Sequence, residues 1–183
     1  MQSSKETIRK QILNQRKAMT ATEVEEYSLK IQNSLIRYLE GVDYGCVLLY
    51  LPIANEVDLR GVIGYLWVNK KNVYVPKICG QELEIVAYQR DSKLVKESFG
   101  ILTPEGNIIK GITPDITIVP CIACDKSKNR VGFGKGYYDK FLWEHSNTTK
   151  IGVCYDFQVV HTIATEEHDV SLDIIITDKQ HIS

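Results

Sequence analysis

Residues 130–142, RVGFGKGYYDKFL, gather the side chains and spacings that can hold a phosphate. Gly132, Gly134 and Gly136 alternate with Phe133 and Lys135; Arg130 and Val131 precede them, and Tyr137, Tyr138 and Asp139 follow. Glycine tolerates positive φ and carries no side chain, so a glycine-rich backbone turns tightly and approaches a ligand. Successive N–H groups then point into one concavity that suits an anion. The run after Gly136 predicts a helix, whose start adds the positive end of its dipole. Arg130 offers a two-pronged donor and Lys135 a point charge. An acid at Asp139 beside such a site implies a metal ion or ordered waters. The spacing matches neither the G-x-x-x-x-G-K-[ST] phosphate loop nor the G-x-G-x-x-G dinucleotide fingerprint. Alone, it also fits a flexible turn with solvated charges. Only one of the paired tyrosines is expected to face the core.

Three other sets of residues invite a chemical reading. Lys5 and Arg9 lie four apart, so a helix puts them on one face. Unaided, that pair reads as a solvated basic surface. Glu56 follows a strand-like run and precedes a helix, where an acid serves equally as a binding group or a helix-start charge. Cys121 and Cys124 form C-x-x-C, but no second pair of ligands at zinc spacing exists, and the motif follows a strand rather than opening a redox helix. The expectation is packing. The five cysteines, an odd number scattered through apolar segments, make no disulfide framework. The histidines at 145, 161, 168 and 181 show no metal-ligand spacing.

The elements that must position these residues are legible from periodicity. Ser3 and Glu6 are spaced as a capping box before the helical KETIRKQILNQRKAM, and Thr20 with Glu23 repeats the signal before a helix to about residue 40. CVLLYL, NVYVPKI, LEIVAYQ, DITIVPCIA, KIGVCY and DIIIT read as strands, and Leu59, Val62, Ile63, Leu66 and Trp67 as a helix. FGILTPEG reads as a loop. Helices alternating with continuous apolar strands predict an α/β protein: three layers, α/β/α, around a largely parallel, mixed sheet. Ligands then collect beyond the carboxyl ends of the strands.

The 183 residues suit one domain, 1–183, with 44% hydrophobic and 25% charged residues. A net charge of −1 gives no global basic field for nucleic acid or acidic membranes. The polar start lacks the apolar core of a signal peptide, and no stretch approaches the roughly 20 apolar residues of a membrane span. A cytoplasmic monomer is expected.

The segment VPCIACDKSKNRVGFGKGYYDKFL resembles the signature of the 5-formyltetrahydrofolate cyclo-ligase family, R-[LV]-G-x-G-x-G-Y-Y-D between a strand and a helix. KETIR, LPIANEVD, FGILTPEG, IGVCYDFQ and HDVSLDIIIT resemble further family segments in the same order. Cys121 and Cys124 replace residues that are usually small or apolar, and Ala164 replaces a common proline. The resemblance implies a ligase that uses ATP and Mg²⁺ to turn 5-formyltetrahydrofolate into 5,10-methenyltetrahydrofolate, ADP and phosphate. It implies ATP contacts at Lys5, Glu6, Thr7, Ile8 and Arg9, and again at Arg130, Val131, Gly132, Phe133, Gly134, Lys135, Gly136, Tyr137 and Tyr138. Folate would meet Leu51, Glu56, Phe133, Gly134, Lys135, Gly136 and Tyr137, and Mg²⁺ would meet Asp139 and Asp173. Arg130, Lys135 and Tyr137 are the implied catalytic residues. Phosphoryl transfer asks mainly for positioning and charge stabilisation, which fits the residue types present. The competing expectation is a non-catalytic α/β protein that holds a nucleotide or phosphosugar. An RNA-binding role is disfavoured by the near-neutral charge and the lack of a basic aromatic stripe.

Overall fold

Ser4 accepts a hydrogen bond from the Thr7 amide and opens α1, Lys5–Ala18. The structure, a computed structural model, describes residues 4–97 and 100–183, so the cap expected at Ser3 lies outside them. Thr20 and Glu23 form the expected reciprocal capping box: the Thr20 amide donates to Glu23 Oε2 at 2.8 Å, and the Glu23 amide to Thr20 Oγ1 at 3.2 Å. They start α2, Ala21–Glu40, which buries Ser28, Ile31, Leu35 and Leu39 along one face. The other α-helices among the described residues are α3, Arg60–Val68, and α4, Tyr137–Glu144.

In chain order the strands are β1 Cys46–Leu48, β2 Asn72–Cys79, β3 Glu82–Ala87, β4 Leu94–Lys96, β5 Leu102–Pro104, β6 Ile108–Ile109, β7 Ile116–Pro120, β8 Ala123–Asp125, β9 Arg130–Val131, β10 Thr149–Val153, β11 Val159–Val160, β12 Ile174–Ile176 and β13 His181–Ile182. The main sheet runs β13-β12-β10-β7-β1-β2-β3-β6. Its centre, from β12 to β2, is parallel, and β13, β3 and β6 add antiparallel edges. This is the largely parallel, mixed sheet read from the sequence.

The two-residue period of a strand explains the layers. Val47, Leu49, Ile116, Ile118, Ile174 and Ile176 join the core beneath α2 and α3. Leu48, Val119 and Ile175 join a second core, with Phe141 and Leu142 of α4. Helices therefore cover both faces.

Three expectations need correction. DITIVPCIA is not one strand: Pro120 ends β7, and β8 joins a separate small sheet between β11 and β9. That break swings the chain off the main sheet and toward the glycine stretch. FGILTPEG is not wholly loop, since Leu102, Thr103 and Pro104 pair with β4 in a separate two-stranded antiparallel sheet; Phe99 lies outside the described residues. The last strand is β13, too short for periodicity to reveal.

Gly152 lies mid-strand in β10, level with Val119 and Ile175. A Cβ there would collide with Leu172 Cδ1 and reach 3.1 Å from Cys121 Sγ. We predict that Gly152→Ala destabilises the protein by about 1–3 kcal/mol in urea unfolding, the range for overpacking; an unchanged midpoint would refute this packing.

Candidate active site

The glycine stretch is presented by a turn built on a buried acid. Asp125, 2% exposed, accepts from the amides of Ser127 and Asn129 at 3.0 Å and of Ile163 at 2.8 Å. It thereby shapes the turn from β8 into β9, which delivers Arg130. Gly134 and Gly136 take φ of +86° and +70°, and Gly136 leads directly into α4. Space is a second reason for glycine. A Cβ on Gly132 would lie 3.1 Å from Arg130 Nη1, and one on Gly134 would lie 3.2 Å from Arg9 Nη2. Two guanidinium groups thus lie against the loop backbone, and Arg9 Nε donates to the Gly132 carbonyl at 2.8 Å.

Arg130 is buried and donates through Nη2 to Asp139 Oδ1 at 2.8 Å. The same oxygen accepts from the Val170 amide at 3.2 Å. The Arg130 guanidinium lies 5.8 Å from the centre of the Tyr138 ring. Arg130 Nε and the Tyr138 hydroxyl are buried with no hydrogen-bond partner among the described residues. Such orphaned donors suit an anionic or polar ligand. Phe133, half exposed, and Lys135 sit on the outside of the loop. Tyr137 packs partly into the α4 core, its hydroxyl 3.5 Å from the Gly80 carbonyl.

Beyond β1 the chain forms a second loop. Leu51 packs partly against the α2–α3 core. Ala54 and Asn55 are non-glycine residues at φ of +45° and +57°. Glu56 closes the turn: its amide donates to the Ile53 carbonyl at 2.9 Å, and its Oε2 accepts from the Ile53 amide at 3.1 Å. Glu56 is only 7% exposed. Burial raises its pKa, while the charge of Arg16 and the Ile53 hydrogen bond pull it back down. Burial also raises the pKa of the Tyr138 hydroxyl, and the charge of Glu56 adds to this while that of Arg130 opposes it. Tyr138 thus feels both loops.

Helix α1 touches both of them. Lys5 pairs with Asp169 and lies 3.7 Å from Glu166, Arg9 holds Gly132, and Arg16 donates to the Ala54 carbonyl from Nε at 3.2 Å and Nη2 at 2.9 Å. Sequence reading found Lys5 and Arg9 but missed Arg16, although it lies two turns beyond Arg9 on the same stripe. It also missed Asn55, whose Nδ2 donates to the Arg16 carbonyl at 3.0 Å, and the turn-building Asp125.

Other expected contacts fare differently. Ile8 and Val131 bury their side chains in a small core with Ile12, Ile122, Ala123 and Ile163, so their side chains face away from any ligand. Glu6 and Thr7 are exposed. The resemblance implied a contiguous run, but a helix presents only one face. Asp139 and Asp173 do not form a ready-made pair. Asp139 is bound to Arg130, whereas Asp173 accepts from the Lys150 amide at 2.7 Å and lies 3.0 Å from Lys150 Nζ, at the amino end of β12. Both acids are thus already paired with a cation, Asp139 with Arg130 and Asp173 with Lys150. Among the described residues each uses a single oxygen, Oδ1 of Asp139 and Oδ2 of Asp173, and Mg²⁺ takes one or two carboxylates and completes its shell with phosphates and waters, so both residue types suit the ion. Cys121 and Cys124 are buried and free, as the packing reading expected; Cys124 Sγ lies 3.2 Å from Cys154 Sγ.

A model of the 5-formyltetrahydrofolate cyclo-ligase family matches residues 1–178. The chain belongs to this family. A 5-formyltetrahydrofolate cyclo-ligase from Haemophilus influenzae is 29% identical over 94% of this chain and 97% of its own. One from Mycoplasma pneumoniae is 32% identical over 96% and 99%. Among solved structures, a 5,10-methenyltetrahydrofolate synthetase from M. pneumoniae superposes with a TM-score of 0.81 at 30% identity, covering 96% of this chain and 99% of that one. The synthetase from Aquifex aeolicus gives 0.84 at 32% identity, covering 97% and 91%. Membership sets aside the non-catalytic binder that the sequence alone left open.

The two basic residues of the cyclo-ligase loop should separate by burial. Arg130→Ala strips a buried ion pair and should cost about 3 kcal/mol of stability, whereas exposed Lys135→Ala should stay within about 0.5 kcal/mol. Urea unfolding of both variants checks this; equal losses would contradict the placement of Arg130.

Proposed function

We propose that the protein is a cyclo-ligase that converts 5-formyltetrahydrofolate to 5,10-methenyltetrahydrofolate, consuming ATP in the presence of Mg²⁺. The observation that carries this reading, beside family membership, is one helix gripping two loops. One loop offers backbone and guanidinium donors for phosphates, and the other offers a buried carboxylate for the folate.

The formyl oxygen takes the γ-phosphoryl group and ADP leaves. N10 of the folate then attacks the activated formyl carbon and gives up its proton, and the C–O bond breaks to release phosphate as the ring closes. The residues supply position and charge rather than a nucleophile. Arg130 and Lys135 bind the phosphates and stabilise charge during transfer, and the Gly132, Gly134 and Gly136 backbone lets the nucleotide approach. Lys5 and Arg9 add positive charge from α1, with Lys5 exchanging Asp169 for phosphate. Exposed Phe133 and half-buried Tyr137 border the folate with Leu51, and Glu56 accepts hydrogen bonds from the pterin. Asp139 would hold Mg²⁺, which neutralises charge on the phosphates when bound. In this reading residues 1–183 act as one domain and one monomer in the cytoplasm, with two small molecules as partners and no nucleic acid. Among the described residues no helix is long and apolar enough to cross a membrane.

The test is incubation with 5-formyltetrahydrofolate while following the methenyl chromophore. Product should form only with ATP and Mg²⁺ both present, and ATP-independent product, or none from folded protein, would sink the proposal. Glu56→Gln should raise KM for the folate by about 10- to 100-fold, the scale of a charged hydrogen bond, with ATP affinity little changed. Loss of ATP binding instead, in calorimetry, would move Glu56 to the phosphate side.

A further inference from the structure

Arg16, at 1% exposure, and Arg130 are the buried cations among the described residues. A buried guanidinium is expensive unless its donors are used. Two of the Arg16 donors converge on one carbonyl, that of Ala54, and Nη2 lies 3.7 Å from Glu56 Oε1. The return contact comes from Asn55 Nδ2 to the Arg16 carbonyl. The gripped segment holds two consecutive non-glycine residues in the left-handed region, which asparagine tolerates at Asn55 but alanine disfavours at Ala54. The strain persists because the end of α1 holds the turn from both sides. The same turn hydrogen-bonds Glu56 through both its amide and its carboxylate.

We propose that Arg16 is a positioning residue for the reaction: it locks the 53–56 turn and holds the Glu56 carboxylate aimed at the folate. This rests on the assignment of Glu56 to the folate. Arg16 need not touch either substrate. The ionisable groups around Glu56 are Arg16 from α1, Tyr50 after β1, Cys121 after β7, Tyr138 of α4 and Tyr155 after β10. Among these, Arg16 opposes the burial that favours protonation of Glu56. Without it, the carboxylate takes up a proton at higher pH, and a folate contact that needs the charged form fails earlier as pH falls.

The experiment compares wild type, Arg16→Gln, Arg16→Lys and the double variant Arg16→Gln with Glu56→Gln. Arg16→Gln should raise KM for 5-formyltetrahydrofolate at least about tenfold with KM for ATP within about twofold, as loss of one charged contact predicts. Its acid limb of kcat/KM for the folate should move to higher pH, because the Arg16 charge that opposes protonation of Glu56 is gone. Arg16→Lys keeps the charge but not the fork, so it should raise KM while leaving the acid limb in place; it carries the test if Arg16→Gln does not fold. The double variant should lose the limb's dependence on residue 16. Unchanged KM and limb, or equal losses for both substrates, would overturn the proposal. Amide hydrogen exchange without substrate separates its failure from that of the folate assignment. The Glu56 amide should exchange faster in Arg16→Gln than in wild type, and unchanged exchange rejects the positioning role even if the wild type proves inactive on folate.

Discussion

Two backbone carbonyls, those of Gly132 and Ala54, each receive an arginine from the same helix, and the geometry of the site depends on that pairing. Charge-assisted hydrogen bonds of this kind contribute about 1.5–3 kcal/mol each. Their larger effect is geometric. The 14-residue α1 is a rigid rod, so fixing Arg9 on one loop and Arg16 on the other sets the spacing between the glycine loop and the 53–56 turn. The rod is seated by Ile8 and Ile12 in a small core beside β8 and β9, apart from the main sheet.

The glycines follow from the same constraint. Arg9 and Arg130 come so close to the backbone at 134 and 132 that a methyl group would press on a guanidinium. The loop is therefore small for its own arginines. Both charged pairs, Arg16 with Glu56 and Arg130 with Asp139, are largely buried. Pairs of that kind add little net stability over apolar packing of equal volume. Their presence beside Arg130 Nε and the Tyr138 hydroxyl, which have no partner among the described residues, accords with a site organised for binding rather than for stability.

Much of this was legible in the sequence. The capping box at Thr20, the layered sheet and the glycine stretch follow from local periodicity and side-chain chemistry. The break at Pro120 was not, because an apolar run looks the same whether it stays in one sheet or leaves it. Arg16 was missed because burial of a cation depends on a carbonyl 38 residues away in sequence. Asp125 was missed because an acid that satisfies four donors of its own neighbourhood looks, in sequence, like a solvated loop charge. The pairing of Asp173 with Lys150 was hidden for the same reason, since it joins two strands that are far apart in sequence. Local patterns reveal elements; long-range contacts decide which charged residues are structural.

The central claim is that α1 joins a nucleotide loop to a separate folate loop. Amide NMR of the wild-type protein, titrated separately with a non-hydrolysable ATP analogue and with 5-formyltetrahydrofolate, tests it most directly. The account predicts that the nucleotide shifts the amides of Gly132, Gly134 and Gly136 most, and that the folate shifts those of Ile53, Ala54, Asn55 and Glu56. Nucleotide shifts centred on residues 53–56, or folate shifts that leave that turn untouched, would contradict it.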